Sequence, residues 1–214
     1  MKFAIQIGSY ARLDFNEKSD CDVLLIEISE HEFDLGKLPQ VDLSIVNFVH
    51  YDQETFLRLH DIGSLFLFHT FFEGKLLAGN AEEWSSLKNK FSVQRNFQKE
   101  LYEISKATQL LSETEIFGGK YLTPLVNAFT ELKNACIFFL AHRKIYEFNK
   151  SRCFDLALKI LEREAKIKEL KAFYDYSVRT MTVNFPFNYS DDEISSSKLI
   201  EAHKIVLEMC NACE

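Results

Sequence analysis

Asp20 and Asp22 stand two residues apart where an apolar run begins, and they are the side chains best suited to chemistry. Side chains two apart on a strand point to the same side, so both carboxylates can hold divalent cations together. The strand-length run from Phe3 to Ile7 ends at Gly8, where a glycine lets the backbone approach a ligand closely. The helical turn that follows would direct backbone N–H groups toward an anion. The segment from Gly8 to Asp22 therefore predicts a combined phosphate and metal site.

Three polar side chains in the same segment could contact the bound phosphates. Ser9 supplies a hydroxyl donor directly after the glycine, and Ser19 directly precedes the acidic pair. Arg12 could neutralise phosphate charge or brace the loop, and the sequence favours neither role over the other. We count all three as candidate nucleotide-binding residues.

A third carboxylate is expected from the next alternating run, Val41 to Asn47, which predicts a half-buried third strand. Asp42 lies on its polar face. If the strands are neighbours, Asp42 faces the first two acids, and three carboxylates surround a two-metal site for in-line displacement at phosphorus. Asp34 and Glu30 are rival third carboxylates.

The pattern G-S-x-A-R, six residues, then S-D-x-D and an apolar run resembles the signature of the DNA polymerase β nucleotidyltransferase superfamily. Its minimal nucleotidyltransferases, of the antitoxin and defence type, are the most similar members. The resemblance implies that Asp20 and Asp22 bind both of two Mg²⁺ ions. It implies that Asp42 ligates the catalytic ion and helps to deprotonate the attacking hydroxyl. Gly8 and Ser9 would hold the β- and γ-phosphates of a nucleoside triphosphate, with ATP the expected substrate.

The activity implied by this resemblance is transfer of a nucleoside monophosphate to an acceptor hydroxyl, with release of pyrophosphate. A protein or an RNA is the expected acceptor, in a toxin–antitoxin or antiphage system with a cognate toxin or defence subunit as partner. Two alternatives stay open: a non-catalytic nucleotide-sensing or toxin-neutralising module, and an antibiotic nucleotidyltransferase. The sequence contains neither a G-x-x-x-x-G-K-[ST] loop nor a G-x-G-x-x-G turn.

The chain predicts an α+β fold of two domains. Residues 1–82 would form a small mixed β-sheet with flanking helices, in which runs at 3–7 and 22–28 are central strands. Residues 83–214 would form an all-α bundle that binds a substrate or partner. Its longest helices are expected from Thr123 to about Phe148, from Ser151 to about Lys168, and from Asp191 to Cys210.

Other polar groups of the sequence indicate structural roles. His60 and His69 lie on helical stretches where packing is the usual role of a histidine. A basic group near the end of the long helix, formed by His142, Arg143, Lys144, Lys150 and Arg152, is typical of a solvated helix end. The odd number of cysteines, five, argues against a disulfide framework.

The composition limits the classes of partner that this protein could bind. A formal net charge of −7 gives no general attraction to polyphosphate, so a nucleic acid would need a local basic patch. No run of the sequence has the length and apolarity of a membrane span, and a signal-peptide pattern is absent at residue 1, so we expect a cytoplasmic protein. An exposed sheet edge would favour homo-oligomers.

Overall fold

The computed structural model describes residues 1–15, 17, 19–38, 41–163 and 166–213. The chain divides into two compact units, Met1–Gln94 and Arg95–Glu214. The first unit contains a four-stranded mixed sheet with helices, whereas the described residues of the second are helical or irregular. The predicted α+β class, a mixed sheet followed by a helical region, is confirmed.

The sheet of the first unit has the strand order β3-β2-β1-β4. β1 is antiparallel to both β2 and β4, and β2 is parallel to β3. The central pair is the one predicted, because both of its strands are buried on both faces. β4 was not predicted, since its four residues between two glycines read as a break in the sequence. The strands are β1 (Phe3–Ile7), β2 (Cys21–Ile26), β3 (Val46–Tyr51) and β4 (Lys75–Ala78).

The prediction of a third strand over Val41 to Asn47 is wrong, because β3 begins only at Val46. The alternation that suggested a strand belongs instead to a 3₁₀ turn, Leu43–Ile45. Asp42 precedes this turn, and its carboxylate accepts a hydrogen bond from the Ser44 amide at 2.9 Å. Aspartate side chains compete for backbone amides in this way and favour turns over strands. The predicted end of β2 at Ile28 is also two residues late, since Glu27 has a φ of 54°.

In the described part of the first unit, four helices accompany the sheet: α1 (Gly8–Arg12), α2 (Gln53–Asp61), α3 (Leu65–Phe72) and α4 (Ala81–Lys90). Short polar side chains cap three of them: Asp52 for α2, Ser64 for α3 and Asn80 for α4. One face of the sheet packs on α2, α3 and α4 through a core that contains Trp84 of α4. The predicted boundary after residue 82 therefore falls inside α4, and the two units divide after Gln94.

The helical unit is built around α6, which packs against four other helices. Its helices are α5 (Gln98–Ser112), α6 (Leu122–His142), α7 (Lys150–Ile160), α8 (Lys171–Ser177) and α9 (Asp192–Asn211). α6 ends before the predicted Phe148, because Lys144 has a φ of 61°. α7 begins after its cap Asn149 and ends at Ile160, short of the predicted Lys168, and residues 164 and 165 of that prediction lie outside the described residues. α9 begins after its cap Asp191 and ends at Asn211, each one residue beyond the predicted bounds of Asp191 and Cys210.

Within the described ranges, no helix has the length and apolarity needed to cross a membrane.

Candidate functional site

Pairing of β1 with β2 brings the two ends of the predicted site together. Ile7 is the register partner of Asp22, and Gly8 follows directly with a φ of +72°. A Cβ atom on Gly8 would lie 3.0 Å from Asp22 Oδ2. Glycine is therefore required here both by the left-handed backbone and by the close approach of this carboxylate.

The other predicted residues of this segment lie around the same turn. Ser9 is the second residue of α1 and half-buried, and Ser19 is buried directly before the acids. Asp20 is exposed and immediately precedes β2, whereas Asp22 is the half-buried second residue of that strand. Strand alternation places Asp22 on one face of the sheet. Asp20 lies outside the strand, so a shared role of Asp20 and Asp22 as a carboxylate pair stays a prediction.

Asn47, a residue that the sequence did not single out, lies opposite Asp22 on the neighbouring parallel strand. Its Nδ2 donates a hydrogen bond to Asp22 Oδ1 at 3.0 Å. This orientation of the amide follows from chemistry, since its oxygen would repel the carboxylate. The shift of β3 along the chain brings Asn47, and not Asp42, into register with Asp22.

The three candidate third carboxylates are engaged in local contacts. Asp42 is held by the Ser44 amide, which lowers the pKa of its carboxyl group. Asp34 caps another 3₁₀ turn and accepts from the Gly36 amide at 2.9 Å. Glu30 lies 2.9 Å from His50 Nε2. A role of Asp42 as third metal ligand stays a prediction.

A hydrogen-bonded chain connects the glycine turn to the end of α3. The Gly8 amide donates to His69 Nε2 at 3.2 Å, and His69 Nδ1 lies 2.7 Å from Glu73 Oε2. Because Nε2 accepts, the neutral ring carries its proton on Nδ1 and donates it to Glu73. Arg12 contacts Glu73 at 3.4 Å and Asp14 at 3.2 Å, which is the loop-bracing arrangement. The first amide of the turn is thus bound within the protein, and phosphate contact by Arg12 stays a prediction.

The carboxylates of this region supply only some of the oxygen ligands that a Mg²⁺ ion requires. Among the residues that the structure describes, no three His, Cys, Asp or Glu side chains come together in a way that could hold a metal ion. Two carboxylates suffice, however, when phosphate oxygens of a substrate and water supply the remaining ligands, which is the usual environment of Mg²⁺. Asp20 and Asp22 fit a magnesium ion that binds together with a triphosphate.

Replacing Gly8 with alanine is expected to damage this site more than the fold. The new Cβ would push against Asp22 Oδ2, and metal sites are sensitive to displaced ligands. We expect magnesium–ATP affinity to fall by about tenfold or more. The free energy of unfolding should fall by about 1–2 kcal/mol, the cost of a left-handed alanine.

Gly118→Ala is the matched control for this substitution. Gly118 has a φ of +54°, but a Cβ there would meet no atom within 4 Å. Both variants should therefore carry similar backbone strain in chemical denaturation, and only Gly8→Ala should lose affinity in calorimetry. Equal ATP affinity in Gly8→Ala and the native chain would contradict this account of the turn.

A second polar feature lies within the helical unit. Its members, which we call the cation cluster, are Lys133 of α6, Lys150 of α7, Lys171 of α8, and Arg179. Lys150 Nζ lies 5.1 Å from the ring centre of Tyr174, and the Arg179 guanidinium lies 5.9 Å from the same ring. Lys171 pairs with the buried Asp175. The cluster therefore places two cations over one aromatic ring, with Lys133 and Lys171 nearby and the carboxylates of Asp175 and Glu131 beside them.

The four positive charges of the cation cluster are compensated in part, by Asp175 beside Lys171 and by Glu131 beside Lys133. Burial, and then the positive charges of Arg179, Lys133 and Lys171, lower the pKa of Lys150 to about 8. Burial also lowers the pKa of Lys133. Asp175 is 6% exposed, and its Oδ1 and the Arg179 Nε both lack a hydrogen-bond partner among the described residues. Like charges held together at this cost are a favourable place for an anion.

The sequence interpretation missed this cluster. Lys150 was assigned to a solvated helix end, but it is half-buried and lies beside the charges of Lys133 and Arg179. The other members of the cluster come from three other parts of the chain, so no local sequence pattern predicts that they lie near Lys150. His69 and Glu73 left a fainter signal, since they are four residues apart at the end of one helix.

Comparison with known proteins gives a distant structural likeness. No protein-family model matches this chain, and no curated protein sequence matches it. Among solved structures, the chain is similar to a spectinomycin adenyltransferase from Enterococcus faecialis, determined with ATP and spectinomycin. The identity is 11% and the TM-score 0.48, over 94% of this chain and 91% of that one. At this distance, the activity of that enzyme does not transfer to this chain.

Proposed function

We propose that this chain is a magnesium-dependent nucleotidyltransferase that uses a nucleoside triphosphate, with ATP the expected substrate. The observation that carries the proposal is the approach of the Asp22 carboxylate to the Gly8 turn, with Asp20 two residues before it in the sequence. It joins two carboxylates to a glycine turn of the kind that admits a phosphate. The resemblance of the segment from Gly8 to Asp22 to polymerase β-like nucleotidyltransferases points the same way.

The proposed reaction is a displacement at the α-phosphorus. The acceptor hydroxyl oxygen forms the new bond to phosphorus, the bond to the bridging oxygen breaks, and pyrophosphate leaves. The hydroxyl proton passes to a base, a role that the resemblance gives to Asp42. Magnesium, when bound, neutralises charge on the triphosphate. Asp20 and Asp22 would hold this ion, and positioning of the reactants would supply much of the remaining rate.

The cation cluster supports a phosphate-bearing ligand in the helical unit. Its excess positive charge and its aromatic ring fit phosphate groups better than a polycationic antibiotic. We therefore place a protein or RNA acceptor before an antibiotic, and a cognate toxin or defence subunit remains the proposed partner class. An RNA would bring its own phosphates to such a patch.

The proposed activity is tested by incubating the purified chain with magnesium and α-labelled ATP, GTP, CTP or UTP in lysate of its own source. Label should appear on one protein, RNA or small-molecule fraction, and pyrophosphate should be released. The double variant Asp20→Asn with Asp22→Asn is the control and should transfer nothing. No labelled acceptor, together with triphosphate binding equal to that of the double variant, would contradict the proposal.

One observation favours a second candidate function, that of a non-catalytic nucleotide-binding module. The residue opposite Asp22 is the neutral Asn47, so the β2–β3 pair presents no third carboxylate at that point. A module of this kind would bind magnesium–ATP with measurable affinity and release no pyrophosphate with any acceptor fraction. Calorimetry alongside the labelling experiment separates the two functions.

A further inference from the structure

Asn47 occupies the place where an additional metal ligand would face Asp22. β3 runs parallel to β2, with Asn47 paired to Asp22 and Val49 paired to Leu24. Leu24 and Val49 both belong to the core under the helices, so alternation places Asp22 and Asn47 on that same face of the sheet. Asn47 is exposed, as a ligand-contacting side chain would be.

The two carboxylate oxygens of Asp22 have different surroundings because Asn47 binds one of them. Oδ1 accepts from Asn47 Nδ2 at 3.0 Å. Oδ2 faces the other way, toward the turn, 3.0 Å from the position of a Cβ on Gly8. The amide therefore fixes the carboxylate in an orientation that presents Oδ2 to the Gly8 turn.

The neutrality of Asn47 has a second consequence. A carboxylate in its place would set another negative charge against Asp22, and divalent cations bind more tightly as the ligand charge rises. With an amide there, most of the negative charge that attracts magnesium must come from the triphosphate. The charge of the protein alone favours only weak cation binding.

We propose that Asn47 is a positioning residue that orients Asp22 and makes cation binding depend on the nucleotide. This inference rests on the proposed function, because it concerns the same magnesium–triphosphate site. In the native chain, Asp20 and Asp22 then bind a divalent cation tightly only when a triphosphate is also bound. A carboxylate at position 47 would remove that dependence.

The test measures cation binding by the full chain without nucleotide. Free Mn²⁺ is followed by electron paramagnetic resonance in titrations of the native chain, Asn47→Asp, Asn47→Ala and Asn89→Asp. Asn89 is exposed on α4, so Asn89→Asp adds the same charge away from the site. We expect Asn47→Asp to bind Mn²⁺ at least about tenfold more tightly than the native chain, and Asn89→Asp to be unchanged.

The affinity of Asn47→Ala for magnesium–ATP tests whether Asn47 orients Asp22. Asn47→Ala should weaken magnesium–ATP binding by about tenfold, as expected for loss of an outer contact to a metal ligand, and circular dichroism should show native helix content. Adenosine affinity should not change in this variant. Asn47→Ala with native magnesium–ATP affinity would overturn the orienting role.

Asp42 provides the decisive contrast for the nucleotide dependence. If the native chain binds Mn²⁺ tightly without nucleotide and Asp42→Asn abolishes that binding, Asp42 is the third ligand and the inference is wrong. No gain in Asn47→Asp, with normal magnesium–ATP binding by the native chain, would contradict the inference alone. A gain in Asn47→Asp, with no magnesium–ATP binding by the native chain, would contradict the proposed function alone.

Discussion

Replacing Asp22 with asparagine is expected to remove most of the affinity for magnesium–ATP. The substitution keeps the size and shape of the side chain and removes only the charge that faces the Gly8 turn. Loss of a second-shell partner of a metal ligand typically costs about 10- to 100-fold in metal affinity, so loss of a ligand's own charge should cost at least about 100-fold. Calorimetric titration of ATP in excess magnesium measures the change.

Two substitutions frame this result. Asp34 lies in the same unit, and its carboxylate caps a 3₁₀ turn. Asp34→Asn removes this carboxylate and should leave the ATP affinity unchanged. Asp42→Asn tests the predicted third ligand, and it should reduce the rate of nucleotidyl transfer if the resemblance holds for this residue. An Asp22→Asn chain that binds magnesium–ATP as tightly as Asp34→Asn would show that the site lies elsewhere.

Replacing Lys133 and Lys150 together with glutamine is expected to give the second large effect. Each charge-assisted contact to a phosphate contributes about 1.5–3 kcal/mol, or about 10- to 100-fold in affinity. The double variant should therefore lose affinity for a phosphate-bearing acceptor probe, a short single-stranded RNA, by about 100-fold or more, while its magnesium–ATP affinity changes little. Its thermal stability should be equal or higher, because two half-buried like charges are removed.

The matched control for this pair is Lys159→Gln. Lys159 is exposed on α7, the helix that begins at Lys150. This substitution removes one positive charge from the same helix as Lys150 and should change the RNA affinity little. Equal losses in the control and in the double variant would mean that general electrostatics, and not the cation cluster, determine binding.

The lowered pKa of Lys150 also predicts a pH dependence. The lysine is charged below its pKa of about 8 and loses its proton above it, so its contribution to anion binding is present at about pH 7 and lost by about pH 9. The phosphates change little over this range, since even a terminal phosphate has its last pKa at about 6. The affinity for the RNA probe should fall across the interval in the native chain and stay flat in Lys150→Gln. A fall of equal size in the variant would contradict this assignment.

The local part of the site was predictable from sequence, because its order along the chain matches its arrangement in space. A strand, a glycine turn and an acidic pair at the next strand form one antiparallel hairpin, in which Ile7 pairs with Asp22. The central position of both strands followed from apolar runs that are buried on both faces. These features depend on short-range patterning, which survives without knowledge of the rest of the fold.

The parts that failed depend on competition or on distant partners. Val41 to Asn47 alternates like a strand, but capping by Asp42 stabilises a turn and delays β3. That delay exchanged an acid for an amide opposite Asp22, a change that no alternation pattern could have revealed. The cation cluster forms only when α6, α7 and α8 pack together, so it could not be predicted from any one segment of the sequence.

The most direct test of the central claim is calorimetry of ATP binding to the native chain with magnesium and then with the metal chelated. Our account predicts saturable binding with magnesium and a loss of at least about tenfold in affinity without it, because Asp20 and Asp22 reach the phosphates through the cation. Binding of equal strength in both conditions, or no binding in either, would contradict a magnesium–triphosphate site between Gly8 and Asp22.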